Sequence, residues 1–198
     1  MAKDTRTRMI ETTARLLQHR GYYGTSISDI LEASGAPRGS LYFHFPGGKD
    51  QLVLEATRAA VEETTEALRQ SLAEAKTPGA GVRAFLEAAA GLMRKSDYTF
   101  GCPVAPVLLD ASGGQDDLAQ LCRRAFEDWT RMLQERFAAA GIARGRAHAL
   151  ALLVCAAIEG LLLFARAYRD CAPLLTVAAE LERAIEEAAP KRRGAHRG

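Results

Sequence analysis

Residues 26–49 read Ser-Ile-Ser-Asp-Ile-Leu-Glu-Ala-Ser-Gly-Ala-Pro-Arg-Gly-Ser-Leu-Tyr-Phe-His-Phe-Pro-Gly-Gly-Lys. The stretch predicts two short helices joined by a tight turn. Ser26 and Asp29 have the spacing of a capping box, with Asp in place of the usual Glu, so a helix starts at Ser26. Ile27, Ile30 and Leu31 share one face. Gly35 supplies the left-handed residue of a sharp turn, and Pro37 suits the first turn of the next helix. Leu41 and Phe45, four apart, face inward, and Pro46-Gly47-Gly48 stops the second helix.

The 198 residues around it are 48% hydrophobic and 25% charged, the balance of a soluble globular protein. Ala and Leu are abundant and β-branched runs scarce, which favours helices. Residues 1–50 hold seven Lys/Arg against five Asp/Glu, residues 51–189 hold 15 against 19, and residues 190–198 hold four basic residues and no acid. A mildly basic head on an acidic body suits a polyanion at one end. Cys102, Cys122, Cys155 and Cys171 form no CxxC pair and no zinc pattern with the histidines, so no metal or cofactor is expected and the thiols are read as reduced and packed. The N-terminus lacks the apolar core of a signal peptide. The apolar stretch 147–165 is interrupted by His148, Glu159 and Gly160 and is expected to fall short of a membrane span. The expected compartment is the cytoplasm.

Periodicity and breakers predict an all-α chain of about nine helices without a sheet. Helices are expected at about 4–20, from 26, after Pro37, at 49–75, 81–95, 107–111, 115–140, 144–169 and 174–189. Ser112-Gly113-Gly114 is expected to be a loop. Three regions follow: a three-helix head over 4–64, a helical body over 65–189, and a basic, disordered tail over 190–198.

A helix-turn-helix lays one helix in the DNA major groove and the other across the backbone. It needs an apolar inner face, a tight turn, and small or polar residues outside. Residues 26–45 supply all three. Arg38 is the best base reader, because a guanidinium pairs bidentately with guanine. Ser40 and His44 are weaker readers, Tyr42 lies on the same side as Arg38, and Gly39 lets the backbone approach. Ser26 and Ser28 open one helix, and Lys49 with the amides near Gly48 opens another, both natural phosphate sites.

The string Thr25 to Ile30, then Ala33 to Phe45, with Gly21-Tyr22 before and Lys49 and Leu52 after, resembles the signature of the TetR/AcrR regulators. The resemblance covers about the first 50 to 60 residues. It implies a dimeric, all-helical regulator, usually a repressor, with DNA contacts from Ser26, Arg38, Gly39, Ser40, Tyr42, His44 and Lys49. One departure is Gly48, where the family often has Ser or Asn; this glycine is expected to loosen the start of the fourth helix.

Phe100-Gly101-Cys102-Pro103-Val104-Ala105, followed by a helix bearing Phe126 and Trp129, resembles the LmrA/YxaF-like branch. That branch is associated with drug or flavonoid-like inducers. The residues agree in part. Phe126, Trp129, Met132 and Leu133 share a helix sector, and Leu92, Met93, Tyr98, Phe100 and Cys102 come from the preceding helix and its loop. A bundle interior with apolar walls is a usual place for a small hydrophobic inducer, although aromatics at helical spacing are more often plain core.

Glu159 stands within an apolar helix, where a carboxylate is costly unless paired. Ligand, Arg166 or His148 of a second chain, or solvent are the open choices, and a structural pairing is favoured. The wide apolar face formed by Leu150, Leu153, Val154, Ala157, Leu161 and Phe164, then Leu174, Leu175, Ala178, Leu181 and Ile185, predicts a homodimer through residues 147–189. The expected function is therefore a ligand-released dimeric repressor of a palindromic operator. A ligand-independent regulator or an activator of the same fold is the alternative. No nucleophile–base pair, metal cluster or phosphate loop marks an enzyme.

Overall fold

A computed structural model of the chain describes residues 4–110 and 116–190. These form nine α-helices and no strand. They are α1 Thr5–Arg20, α2 Ile27–Ser34, α3 Ser40–His44, α4 Gly48–Glu74, α5 Pro78–Lys95, α6 Ala105–Asp110, α7 Asp116–Ala139, α8 Arg144–Tyr168 and α9 Ala172–Ala188. The expected loop at 112–114 and the basic stretch from residue 191 lie outside the described residues.

The sequence signals at helix starts are realised with small shifts. Ser26 caps α2 by accepting from the Asp29 amide at 3.1 Å, and the Asp29 carboxylate accepts from the Ser26 amide at 2.9 Å. Gly35 then turns the chain at φ 63° with open space where a Cβ would sit, so conformation alone calls for glycine there. α5 starts at Pro78, earlier than expected, because Thr77 caps it by accepting from the Ala80 amide at 3.2 Å. α9 likewise includes Pro173 in its first turn rather than starting after it. Gly48 is no loose start. It is buried at φ 67°, and its amide donates to the Phe45 carbonyl at 2.8 Å.

Two cores organise these helices. The smaller one holds Met9, Ile30, Ala36, Leu41, Phe45 and Leu52 and joins α1, α2, α3 and the start of α4. The larger one runs through the remaining helices, with Leu86, Met93, Leu133, Phe137, Leu150 and Leu174 fully buried. Helices α1 and α4 belong to both. α1 gives Met9 to the small core and Leu17 to the large one, while α4 gives Leu52 to the first and Val53, Ala56 and Leu68 to the second. Arg6 on α1 pairs with Glu55 on α4 and adds a polar tie.

In the body, α5 packs on α9 and α4, and α7 on α8. Leu150, Val154, Leu161, Leu174, Ala178, Leu181 and Ile185 point into this interior. They are core, which corrects the expectation of one continuous outer face. The surface of α8 is instead apolar through Leu152, Leu153, Leu163, Phe164 and Tyr168, with Leu175 on α9. Apolar on both sides, α8 is by length and composition able to cross a membrane, contrary to the sequence expectation. Its composition reflects two apolar duties, an inner core face and an outer exposed one.

Candidate functional site

The α2–α3 pair projects from the small core with its polar side outward. Ser28, Arg38, Gly39 and Tyr42 are exposed, while Ser40 and His44 are half-buried. Helix α3 is shorter than the sequence suggested. Pro37, Arg38 and Gly39 form a turn, closed by the Ser40 amide donating to the Pro37 carbonyl at 2.9 Å, and regular helix begins at Ser40. Gly39 has ordinary φ (−71°) and open space where a Cβ would sit, so the chain's own folding does not require glycine. Phe43 is 80% exposed beside Tyr42 at 65%. The sequence reading gave Phe43 no surface role.

Lys49 is turned inward. Its ammonium donates to the Tyr22 carbonyl at 2.8 Å and lies 4.1 Å from the Tyr22 ring centre. Partial burial lowers its pKa, opposed by the charges of Asp50 and Asp110. The Tyr22 hydroxyl donates to Asp50, and the Asp110 carboxylate accepts from the Tyr23 amide at 3.2 Å. The α1–α2 link is thus clamped between the start of α4 and the end of α6.

Beneath α1 lies a cavity of about 660 Å³. Its walls come from α1, α4, α5, α7, α8 and the loop after α5. Of the expected ligand residues, Leu92, Phe100, Cys102, Phe126, Trp129 and Glu159 line it. Met93 does not, being fully buried in the core, and Tyr98 and Met132 pack against that core from its edge. Met93 and Met132 have matching helical spacing, but their angular positions turn them from the space, while Tyr98 lies in the turn after α5 at φ 61°. The sequence reading also missed the α1 wall, where Ile10, Ala14 and Gln18 face the cavity. No local pattern marks this, because it depends on α1 crossing over the body.

Trp129 packs edge-on against Phe126 with ring centres 5.7 Å apart, and its indole N–H donates to the Thr65 hydroxyl at 2.8 Å. The Cys102 thiol is pushed well above the ordinary thiol range by burial, and further by the Glu159 charge. Cys122, also buried, is raised to about 11. Glu159 is itself raised by burial, an effect that the Cys102 thiol opposes.

Within the chain, neither Arg166 nor His148 pairs with Glu159. Arg166 donates to the carbonyls of Thr99 at 2.7 Å, Phe100 at 3.2 Å and Gln18 at 3.3 Å. His148 bonds to Gln134 at 3.1 Å. Arg166 thereby ties the end of α1 to the cavity loop. Among the described residues, no His/Cys/Asp/Glu group is arranged to hold a metal ion.

Comparison with known proteins decides the family. Residues 9–56 match the bacterial regulatory proteins of the tetR family, and residues 78–180 match the C-terminal domain of LmrA/YxaF-like transcriptional regulators. The chain is a TetR-family transcriptional regulator. It is 36% identical over 178 residues to the HTH-type transcriptional regulator LmrA of Bacillus subtilis, covering 88% of this chain and 93% of that one. It is 29% identical to YxaF of the same organism, over 90% of this chain and 93% of the relative.

A TetR regulator from Chloroflexus aurantiacus superposes with a TM-score of 0.80 at 30% identity, over 93% of this chain and 96% of that one. The TetR-family regulator CifR, in a complex with 26-base-pair operator DNA, shares the fold at a TM-score of 0.78 and 24% identity, over 96% and 98% of the two chains. The TetR membership makes this chain a DNA-binding regulator, and its homologues are regulators rather than enzymes.

Proposed function

We propose that this TetR-family protein is a cytoplasmic homodimeric repressor of a palindromic operator, released by a small hydrophobic or aromatic ligand. Ser26, Ser28, Arg38, Gly39, Ser40, Tyr42 and His44 meet the DNA, with Lys49 setting the shape of the head over residues 4–64. The observation carrying the reading is the shared wall: α1 spans the head core and lines the cavity with Ile10, Ala14 and Gln18. A ligand there touches a helix of the head directly. It shifts the head's position to the extent that it binds one arrangement more tightly than the other. Arg166 on α8 holds the same end of α1, so head, cavity loop and α8 move as coupled parts.

The exposed apolar side chains of α8 and Leu175 support dimerisation through residues 147–189. Two heads then meet successive major grooves of one operator. A gel-shift and footprinting assay on DNA upstream of the neighbouring gene tests the reading, with the mass of the free protein measured by light scattering. The expected results are a dimer, a palindromic footprint, and release by an aromatic ligand seen in a thermal-shift screen. A monomer, or no salt-sensitive specific binding at any upstream region, overturns it. A footprint that no cavity ligand alters favours the ligand-independent alternative.

A further inference from the structure

The cavity has a charge pattern that a neutral aromatic ligand leaves unused. Its lining includes three carboxylates, Glu11, Glu63 and Glu159, against one guanidinium, that of Arg15. Glu11, Glu63 and Arg15 lie at exposed positions, whereas Glu159 is half-buried midway along α8. Among the described residues, no lysine, arginine or histidine forms an ion pair with Glu159. Arg166 is engaged on three carbonyls, His148 on Gln134, and Arg15 on the Thr12 hydroxyl at 3.3 Å.

A carboxylate withdrawn from water without a counter-ion is destabilising, and a cation arriving from outside removes that cost. The surroundings favour such a cation. Phe85, Phe100, Phe126 and Trp129 line the same space. The Trp129 N–H is already committed to Thr65, so the ring offers π surface rather than a donor. An anionic ligand meets like charge at Glu159, and a neutral one leaves it unpaired.

We infer that the cavity takes an organic cation, its ammonium head seated against Glu159 and its aromatic or branched apolar body filling the space between α4, α5 and α7. A volume of about 660 Å³ is drug-sized. The inference rests on the cavity being the inducer site and names the class of inducer.

The test uses the full chain and a charge-matched pair of probes: (4-tert-butylbenzyl)trimethylammonium and its uncharged carbon isostere, 4-tert-butylneopentylbenzene. Trp129 is the single tryptophan and lines the cavity, so its fluorescence reports occupancy. The cation is expected to bind at least about tenfold more tightly than the isostere. Glu159→Gln, checked for its thermal unfolding, is expected to bring the two probes to within about twofold. Glu63→Gln, at an exposed position, is expected to weaken the cation by about two- to threefold and leave the isostere unchanged.

Equal binding of the two probes, no binding of either, or a preference that survives both substitutions overturns the inference. A parallel operator gel shift separates the two readings. Cation binding without DNA release upholds the ligand class and sinks the inducer role. Release by a neutral aromatic but not by the cation does the reverse.

Discussion

The reading head and the cavity are opposite solutions to making a binding surface from helices. The head is convex. It rests on a core of six buried side chains and turns Ser28, Arg38, Tyr42 and Phe43 outward. The cavity is concave, with walls borrowed from five helices and a loop. A convex surface is specified locally, by a cap, a turn and the residues between them. A concave one exists only after distant segments pack, so no short stretch of chain announces it. The same contrast separates their carboxylates. Asp29 is held below its ordinary pKa, chiefly by hydrogen bonds from Ser26, whereas Glu159 is held above its own by burial.

The largest expected effect tests whether the head stands on its own small core. Phe45 is fully buried there. Phe45→Ala should cost about 3–5 kcal/mol locally. Operator binding is expected to vanish while circular dichroism retains most of the helix signal from the body. A single cooperative loss of all helix would show that head and body are one folding unit and break the comparison.

Next is Arg38→Ala, which removes an exposed side chain. Discrimination between operator and random DNA should fall by about 1–3 kcal/mol, with the unfolding temperature unchanged. Binding as tight and selective as wild type would mean that Arg38 does not read bases. Smaller is Ser26→Ala, which removes the cap of α2 and should lower stability by about 1 kcal/mol in denaturant unfolding. No change would show that the turn, and not the cap, sets where α2 starts.

The smallest effects are two pH trends of opposite sign. Asp29 has its folded pKa depressed below 3.8. Its stabilising contribution is present above that value and is lost as pH falls through the folded pKa. Glu159 has its folded pKa raised above 4.5. Its destabilising contribution is present at high pH and is relieved as pH falls towards 4.5. In a series of thermal unfolding curves, Glu159→Gln should be more stable than wild type at pH 8, with the gap closing towards pH 5. Asp29→Asn should be less stable at pH 7 and converge with wild type below about pH 4. Trends of the same sign for both would erase the electrostatic contrast between the two regions.

Much of the head was legible because its instructions are short-range. Ser26 with Asp29, Gly35, and the Leu41–Phe45 pair each act within a few residues, and the structure uses all of them. Lys49 shows the limit. Its place at a helix start suggested a phosphate ligand, yet Tyr22, 27 residues away, takes its ammonium. In the body, helical spacing located Phe126 and Trp129 on the right side of α7 but could not separate them from Met132, which packs at the core's edge. Cavity-facing and core-facing positions carry the same apolar residue types, so periodicity does not distinguish them.

By itself the sequence determined the all-helical class, the positions of the breakers and the outward placement of Ser28, Arg38 and Tyr42 on the reading head. Helix propensity, capping and turn chemistry are decided by neighbours in the chain. Only the tertiary structure decided that α1 roofs the cavity, that Arg166 ties it to α8, and that Glu159 enters the pocket without a cation beside it. Those relations join residues up to 148 positions apart. They depend on helix crossing and the angular position of each side chain, which no local pattern encodes.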